Sequence, residues 1–121
     1  MAIARMGTVV LDCPDPKRLA GFYSALLGWE ATFSEDDWVT VGDGRSDRIA
    51  FQQVGDYRPP EWPGSDRPQQ FHLDLSVDDI EEAEAAALAL GAVKHACQPG
   101  GGEGFRVYLD PAGHPFCLCV S

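Results

Sequence analysis

A chain of 121 residues that is 45% apolar has room for one domain with a true core. Its formal net charge of -10 and pI near 4.4 argue against a nucleic-acid binder, which needs clustered Lys and Arg, and against an anionic membrane surface. No apolar run approaches membrane-spanning length and no N-terminal stretch reads as a signal peptide, so a cytoplasmic protein with reduced cysteines is expected.

In chain order, an alternating strand is expected over 6–13, with Val9, Leu11 and Cys13 on one face and Thr8, Val10 and Asp12 on the other. Asp15 is placed to cap the helix that follows, and Pro16 suits its first position, where a missing N–H is tolerated. Leu19, Phe22, Tyr23, Leu26 and Leu27 keep helical spacing on one buried face, and Gly28 ends the helix in a left-handed cap. Strands are expected at 29–34, 37–41 and 48–54, with Gly42-Asp43-Gly44 as a turn.

Residues 55–68 hold four prolines, which break both helix and ladder, and read as a linker. Tyr57 and Trp62 are unusual in a plain tether. They either staple the segment to the body or overhang a pocket. A second strand-and-helix unit then begins: a strand at 70–77, Asp78 or Asp79 as cap, and a helix carrying Ile80, Ala83, Ala87 and Leu90 that ends at Gly91. Strands near 92–97, at 105–109 and at 115–120 complete it. The glycines of 100–104 read as a turn, because no strand-to-helix junction is there to make a phosphate cradle. Asp110-Pro111-Ala112-Gly113 has turn chemistry.

The segment Thr8-Val-Val-Leu-Asp-Cys-Pro-Asp15 and the segment His72-Leu-Asp-Leu-Ser-Val-Asp-Asp79 share one pattern, so the chain reads as one βαβββ module used twice. The boundaries are module one 5–54, linker 55–68 and module two 69–121, all within a single domain spanning 1–121. On the second strand, Leu73, Leu75 and Val77 should face the helix, and His72, Asp74 and Ser76 the opposite side. Cys117 and Cys119 also share a strand face, but ~6–7 Å apart they are poorly placed to bind one ion together. They read as small buried residues.

These residues resemble the vicinal oxygen chelate superfamily of glyoxalases, bleomycin-resistance proteins and extradiol dioxygenases. The resemblance rests on the strand-Asp-helix start with Phe22-Tyr23 and Leu27-Gly28, on His72-Leu-Asp-Leu with Asp79, and on Asp110-Pro-Ala-Gly-His-Pro-Phe116. Pro59-Pro-Glu-Trp-Pro63 followed by Pro68-Gln-Gln-Phe-His72 is similar to a small bacterial glyoxalase-like subgroup. The resemblance implies an α+β fold whose two βαβββ modules form an open cup, commonly in a homodimer. It also implies a small-molecule ligand.

In metal-dependent members each module's first and last strands supply one ligand apiece. Carried over by position, the four slots are Thr8, Gln52, His72 and Cys117. Only His72 is an ordinary ligand, so no metal centre is expected; if one exists, His72, Gln52 and Cys117 would hold it. The expected role is therefore a glyoxalase-like binder of a small organic molecule, lined by Thr8, Gln52, His72, Cys117, Trp38, Tyr57 and Trp62. The alternatives are a metal-independent lyase or isomerase using His72 and Asp74 as acid and base, or a metal-dependent glyoxalase or dioxygenase with a divergent ligand set. Whether the chain is an enzyme is left open by its residues.

Overall fold

The computed structural model describes residues 2–120. Chain contacts divide it into two units, meeting between Tyr57 and Arg58. In the first unit β1 (Val9–Cys13) leads into α1 (Pro16–Leu27), followed by β2 (Glu30–Glu35), β3 (Trp38–Gly42) and β4 (Arg48–Gln53). In the second, β5 (Leu73–Val77) leads into α2 (Ile80–Leu90), followed by β6 (Val93–Lys94), β7 (Phe105–Leu109) and β8 (Pro115–Val120). Each unit is thus βαβββ, as the duplicated pattern implied. The sheets run β1-β4-β3-β2 and β5-β8-β7-β6, with the first and last strands of each module paired in parallel. Neither sheet closes into a barrel.

The helix ends follow from single residues. Asp15 accepts a bond from the Arg18 N–H, and Gly28 closes α1 at φ 71° with its own N–H on the Ser24 carbonyl. Asp79, rather than Asp78, caps α2 by accepting from the N–H groups of Glu81 and Glu82, and Gly91 ends it in the left-handed region. The two helices are then seated by different physics. α1 buries Leu19, Phe22 and Tyr23, and Tyr23 stacks on Phe51 of β4 at 5.6 Å between ring centres. α2 buries only Ala87 fully. Its Glu84 accepts the Tyr108 hydroxyl at 2.8 Å and pairs with Lys94 at 3.0 Å and Arg106 at 3.2 Å. Burial raises the Glu84 pKa, but hydrogen bonds from Lys94, Tyr108 and Arg106 outweigh it and leave the carboxyl below its ordinary value.

Three strands are shorter than their sequence pattern: β1 starts at Val9 rather than residue 6, β5 at Leu73 rather than 70, and β6 is cut most. The strand expected over 92–97 is only Val93–Lys94, because the Gln98 side chain takes over the pairing. Its Oε1 accepts the Val107 N–H and its Nε2 donates to the Val107 carbonyl, as a strand peptide would. The segment expected as a linker does not hang free either. Pro59 packs where a Cβ on Gly113 would stand, Glu61 bridges to Pro68, and the contact division assigns residues from Arg58 onward to the second unit.

Candidate functional site

The parallel register of β5 on β8 pairs Leu73 with Phe116, Asp74 with Cys117, Leu75 with Leu118 and Ser76 with Cys119. Side chains alternate, so one face carries Leu73, Leu75, Phe116 and Leu118, the other Asp74, Ser76, Cys117 and Cys119. β7 continues this sorting. Tyr108 lies opposite Phe116 and stacks on it, whereas Val107 lies opposite Cys117. The polar face is therefore the one away from α2.

His72 sits one residue before β5 and shares that face. Its Nε2 lies 3.0 Å from Asp74 Oδ1, and ligating atoms of His72, Asp74 and Cys117 all fall within 4.8 Å of one another. Burial, then the charges of Asp74 and Cys119 and a hydrogen bond to Asp74, push the Cys117 thiol up to about 11. Cys119 is raised in the same way, by burial and then by Asp74. Cys117 is consequently a neutral thiol at pH 7 and not an activated nucleophile. Asp74 is the hub of the cluster, accepting from both neighbours.

A pocket of about 140 Å³ opens beside this cluster, lined by Trp62, Gln69, His72, Pro99, Phe105, Val107, Pro115 and Cys117. Trp62 is held at its rim by His95. The Cys97 N–H donates to His95 Nδ1 at 2.9 Å, which requires a lone pair there, so His95 Nε2 carries the proton and donates to the Trp62 carbonyl at 2.8 Å. The two rings also meet edge-on at 5.1 Å. Both sequence readings of Trp62 describe its position, since it is fastened to the unit and lines the pocket. The turn after β7 is fixed by Asp110, a buried carboxylate accepting from the N–H groups of Ala112 and His114 and from the His114 ring.

In the first unit, Thr8 precedes β1 and is exposed, Trp38 donates its Nε1–H to Thr40 Oγ1 at 3.0 Å, and Tyr57 is half-buried. The register β1 on β4 pairs Val10 with Ala50 and Asp12 with Gln52. Position by position, the partner of Asp74 and Cys117 in the first unit is therefore Val10 and Ala50, and Gln52 corresponds to Cys119. By these registers Ala50, and not Gln52, is the first-unit counterpart of Cys117. The residues proposed from sequence divide accordingly: Thr8, Trp38, Gln52 and Tyr57 lie in the first unit, and Trp62, His72, Asp74 and Cys117 come together in the second.

Gln69, Phe105 and Val107 escaped the sequence reading. Strand alternation back from Cys117 through the β7–β8 turn could have placed Phe105 and Val107 on the polar face. Nothing in the sequence marks Gln69, half-buried here, as a pocket residue.

A divalent centre of the kind found in metal-dependent relatives needs donors from both modules. Among the described residues, the first unit offers Thr8, Val10 and Ala50 at the matching positions, and no cluster of three potential ligands. The residues present do not fit that group. The three donors of the second unit are by type those of a zinc site, but the thiol would have to lose its proton and the His72–Asp74 contact would have to open. No helix among the described residues is long and apolar enough to cross a membrane, and the four cysteines form no disulfide.

Residues 8–119 match the glyoxalase-like domain family. No curated protein matches the chain. Among solved structures it is similar to a glyoxalase/bleomycin resistance protein/dioxygenase family enzyme from Burkholderia phytofirmans, at 16% identity and TM-score 0.72, covering 97% of this chain and 98% of that one. A glyoxalase-related enzyme from Fulvimarina pelagi superposes with TM-score 0.68 at 19% identity, covering 98% and 89%. A glyoxalase/bleomycin resistance protein from Albidiferax ferrireducens does so with TM-score 0.65 at 18% identity, covering 98% and 99%. With its two βαβββ modules and a family match over almost its whole length, the chain belongs to the glyoxalase-like domain family of the vicinal oxygen chelate superfamily.

Proposed function

We propose that this protein binds a small organic molecule against the His72–Asp74–Cys117 wall of its second module, without the divalent centre typical of metal-dependent relatives. The observation that carries this reading is the convergence of those three polar groups beside a largely apolar pocket. The first module keeps the architecture but places Val10 and Ala50 where the second has Asp74 and Cys117. The ligand-binding chemistry is thus concentrated in one half of the repeat. By family likeness, a cytoplasmic homodimer belongs to the same reading, and light scattering after size exclusion tests that part of it.

A second reading is supported by the His72–Asp74 contact. With Nε2–H held by the Asp74 carboxylate, Nδ1 is left to accept a proton from a bound substrate, and Asp74 would stabilise the imidazolium formed. In this version the protein is a metal-independent lyase or isomerase. A neutral thiol at Cys117 supplies no nucleophile, so proton transfer is the chemistry available to these residues.

Thermal-shift screening of small organic molecules, followed by product analysis, tests both. Saturable stabilisation that is lost in His72→Ala, with no product formed, supports a binder. Conversion abolished by His72→Ala and by Asp74→Asn supports the enzyme. No stabilisation by any member of a broad panel overturns the first reading, and turnover that survives both substitutions overturns the second. One tightly held zinc per chain after purification without a tag, absent from His72→Ala, overturns the metal-free assignment.

A further inference from the structure

Gly100 and Phe105 lie closer together than any side chain on residue 100 would allow. A Cβ there would stand 2.5 Å from Phe105 Cε1, 2.9 Å from Cζ and 3.2 Å from Cδ1, where carbon atoms settle at ~3.5 Å or more. The backbone does not ask for glycine at this position. Gly101, Gly102 and Gly104 have positive φ and Gly100 does not, so its lack of a side chain answers to the ring and not to the turn.

Phe105 lines the pocket together with Trp62, Pro99, Val107 and Pro115, whereas Gly100 does not line it. Gly100 thus meets the ring from outside the pocket. The segment that carries it is pinned. The Gly101 N–H donates to the Gln98 carbonyl at 2.9 Å, Arg106 Nε donates to the Gly102 carbonyl at 3.0 Å, and the Gln98 amide is bonded to both backbone groups of Val107. With that backbone held, a methyl group on residue 100 makes the ring retreat from 2.5 Å to ~3.5 Å, a shift of about 1 Å. The free side of the ring is the pocket. At about 140 Å³, close to the ~150 Å³ of cavities that take up one benzene, the pocket has little width to give.

We propose that Gly100 is a positioning residue that sets the size limit of this pocket through Phe105, and that the limit admits one small ring and excludes two fused ones. This rests on the reading that the second module binds a small organic molecule. It goes further by naming a residue outside the pocket that decides which sizes fit. Adding atoms at residue 100 narrows the site, and removing them at residue 105 widens it.

The test uses phenol and 2-naphthol, which carry the same hydroxyl and differ by one fused ring. Affinities are measured by ligand-observed NMR on the full chain for the wild type, Gly100→Ala, Phe105→Leu and the double variant. The wild type is expected to bind phenol about tenfold tighter than 2-naphthol, the scale of overfilling a fitted apolar site. Gly100→Ala is expected to weaken phenol about tenfold, and Phe105→Leu to bring the two probes to within about twofold of each other. In the Phe105→Leu background, Gly100→Ala is expected to change neither affinity by more than about twofold, because the methyl group no longer meets a ring. A merely structural glycine would not move the ratio of the two probes or be rescued at residue 105.

Equal binding of phenol and 2-naphthol to the wild type, or a preference for 2-naphthol, overturns the proposal. So does a Gly100→Ala variant that binds phenol as the wild type does, or a loss that persists in the double variant. If Gly100→Ala does not fold alone, the double variant must fold with the affinities of Phe105→Leu, and its failure to do so also overturns the proposal. In each of these cases phenol still binds the wild type, and the underlying reading stands. Absence of binding by both probes to the wild type removes the underlying reading together with this one.

Discussion

Burial keeps Cys117 protonated and the Asp74 carboxylate adds to it, and the strength of the Asp74 contribution can be measured. With its pKa raised from 9.0 to about 11, the thiol at pH 8 is ~0.1% thiolate, against ~10% for an unperturbed cysteine, a hundredfold difference. Burial is the largest cause, and the charge and hydrogen bond of Asp74 follow. A negative neighbour disfavours the thiolate, so Asp74→Asn must lower the pKa. Because burial persists in the variant, only part of the difference returns, about three- to tenfold more thiolate at pH 8. The assay is iodoacetamide alkylation of residue 117, followed by peptide mass spectrometry after brief pulses from pH 7 to about 12. The pH midpoint of the rate reports the pKa, and the limiting rate at high pH reports access. Asp74→Asn is expected to move the midpoint down while leaving the limiting rate nearly unchanged. A wild-type midpoint near 9, or a midpoint that Asp74→Asn does not move, refutes the assignment of Asp74 as the hub of the cluster.

Two further outcomes are expected. Tyr108→Phe removes a buried hydroxyl that donates to Glu84, and should cost about 1–2 kcal/mol in urea unfolding with the slope unchanged, since Lys94 and Arg106 still satisfy the carboxylate; a loss below about 0.5 kcal/mol would show that the helix seat does not depend on this bond. His95→Ala removes both the acceptor for the Cys97 N–H and the donor to the Trp62 carbonyl, so amide exchange across residues 58–68 should accelerate before that of β7 and β8, and unchanged exchange there counts against the fastening role of His95.

Most of the fold was legible because its signals are local. Asp15, Gly28, Asp79 and Gly91 each specify a helix end through their own side chain or their own backbone freedom, and strand alternation sorted Leu73 and Leu75 from Asp74 and Ser76. What escaped depends on register and on side chains that imitate backbone. That Ala50 rather than Gln52 is the first-module counterpart of Cys117 depends on how two strands slide past each other over a separation of forty residues. β6 ended early because the Gln98 amide substitutes for a peptide group, which no propensity scale registers. The polar trio was half visible: His72 and Asp74 lie two residues apart, but only the β5–β8 register brings Cys117 to them.

The matching registers of the two modules give this molecule an internal blank. Val10 and Ala50 occupy in the first sheet the places of Asp74 and Cys117 in the second, on the same backbone pairing and with the same strand order. A graft of Thr8→His, Val10→Asp and Ala50→Cys would write the second wall onto the first, so that the effect of the three groups can be separated from that of the scaffold within one chain.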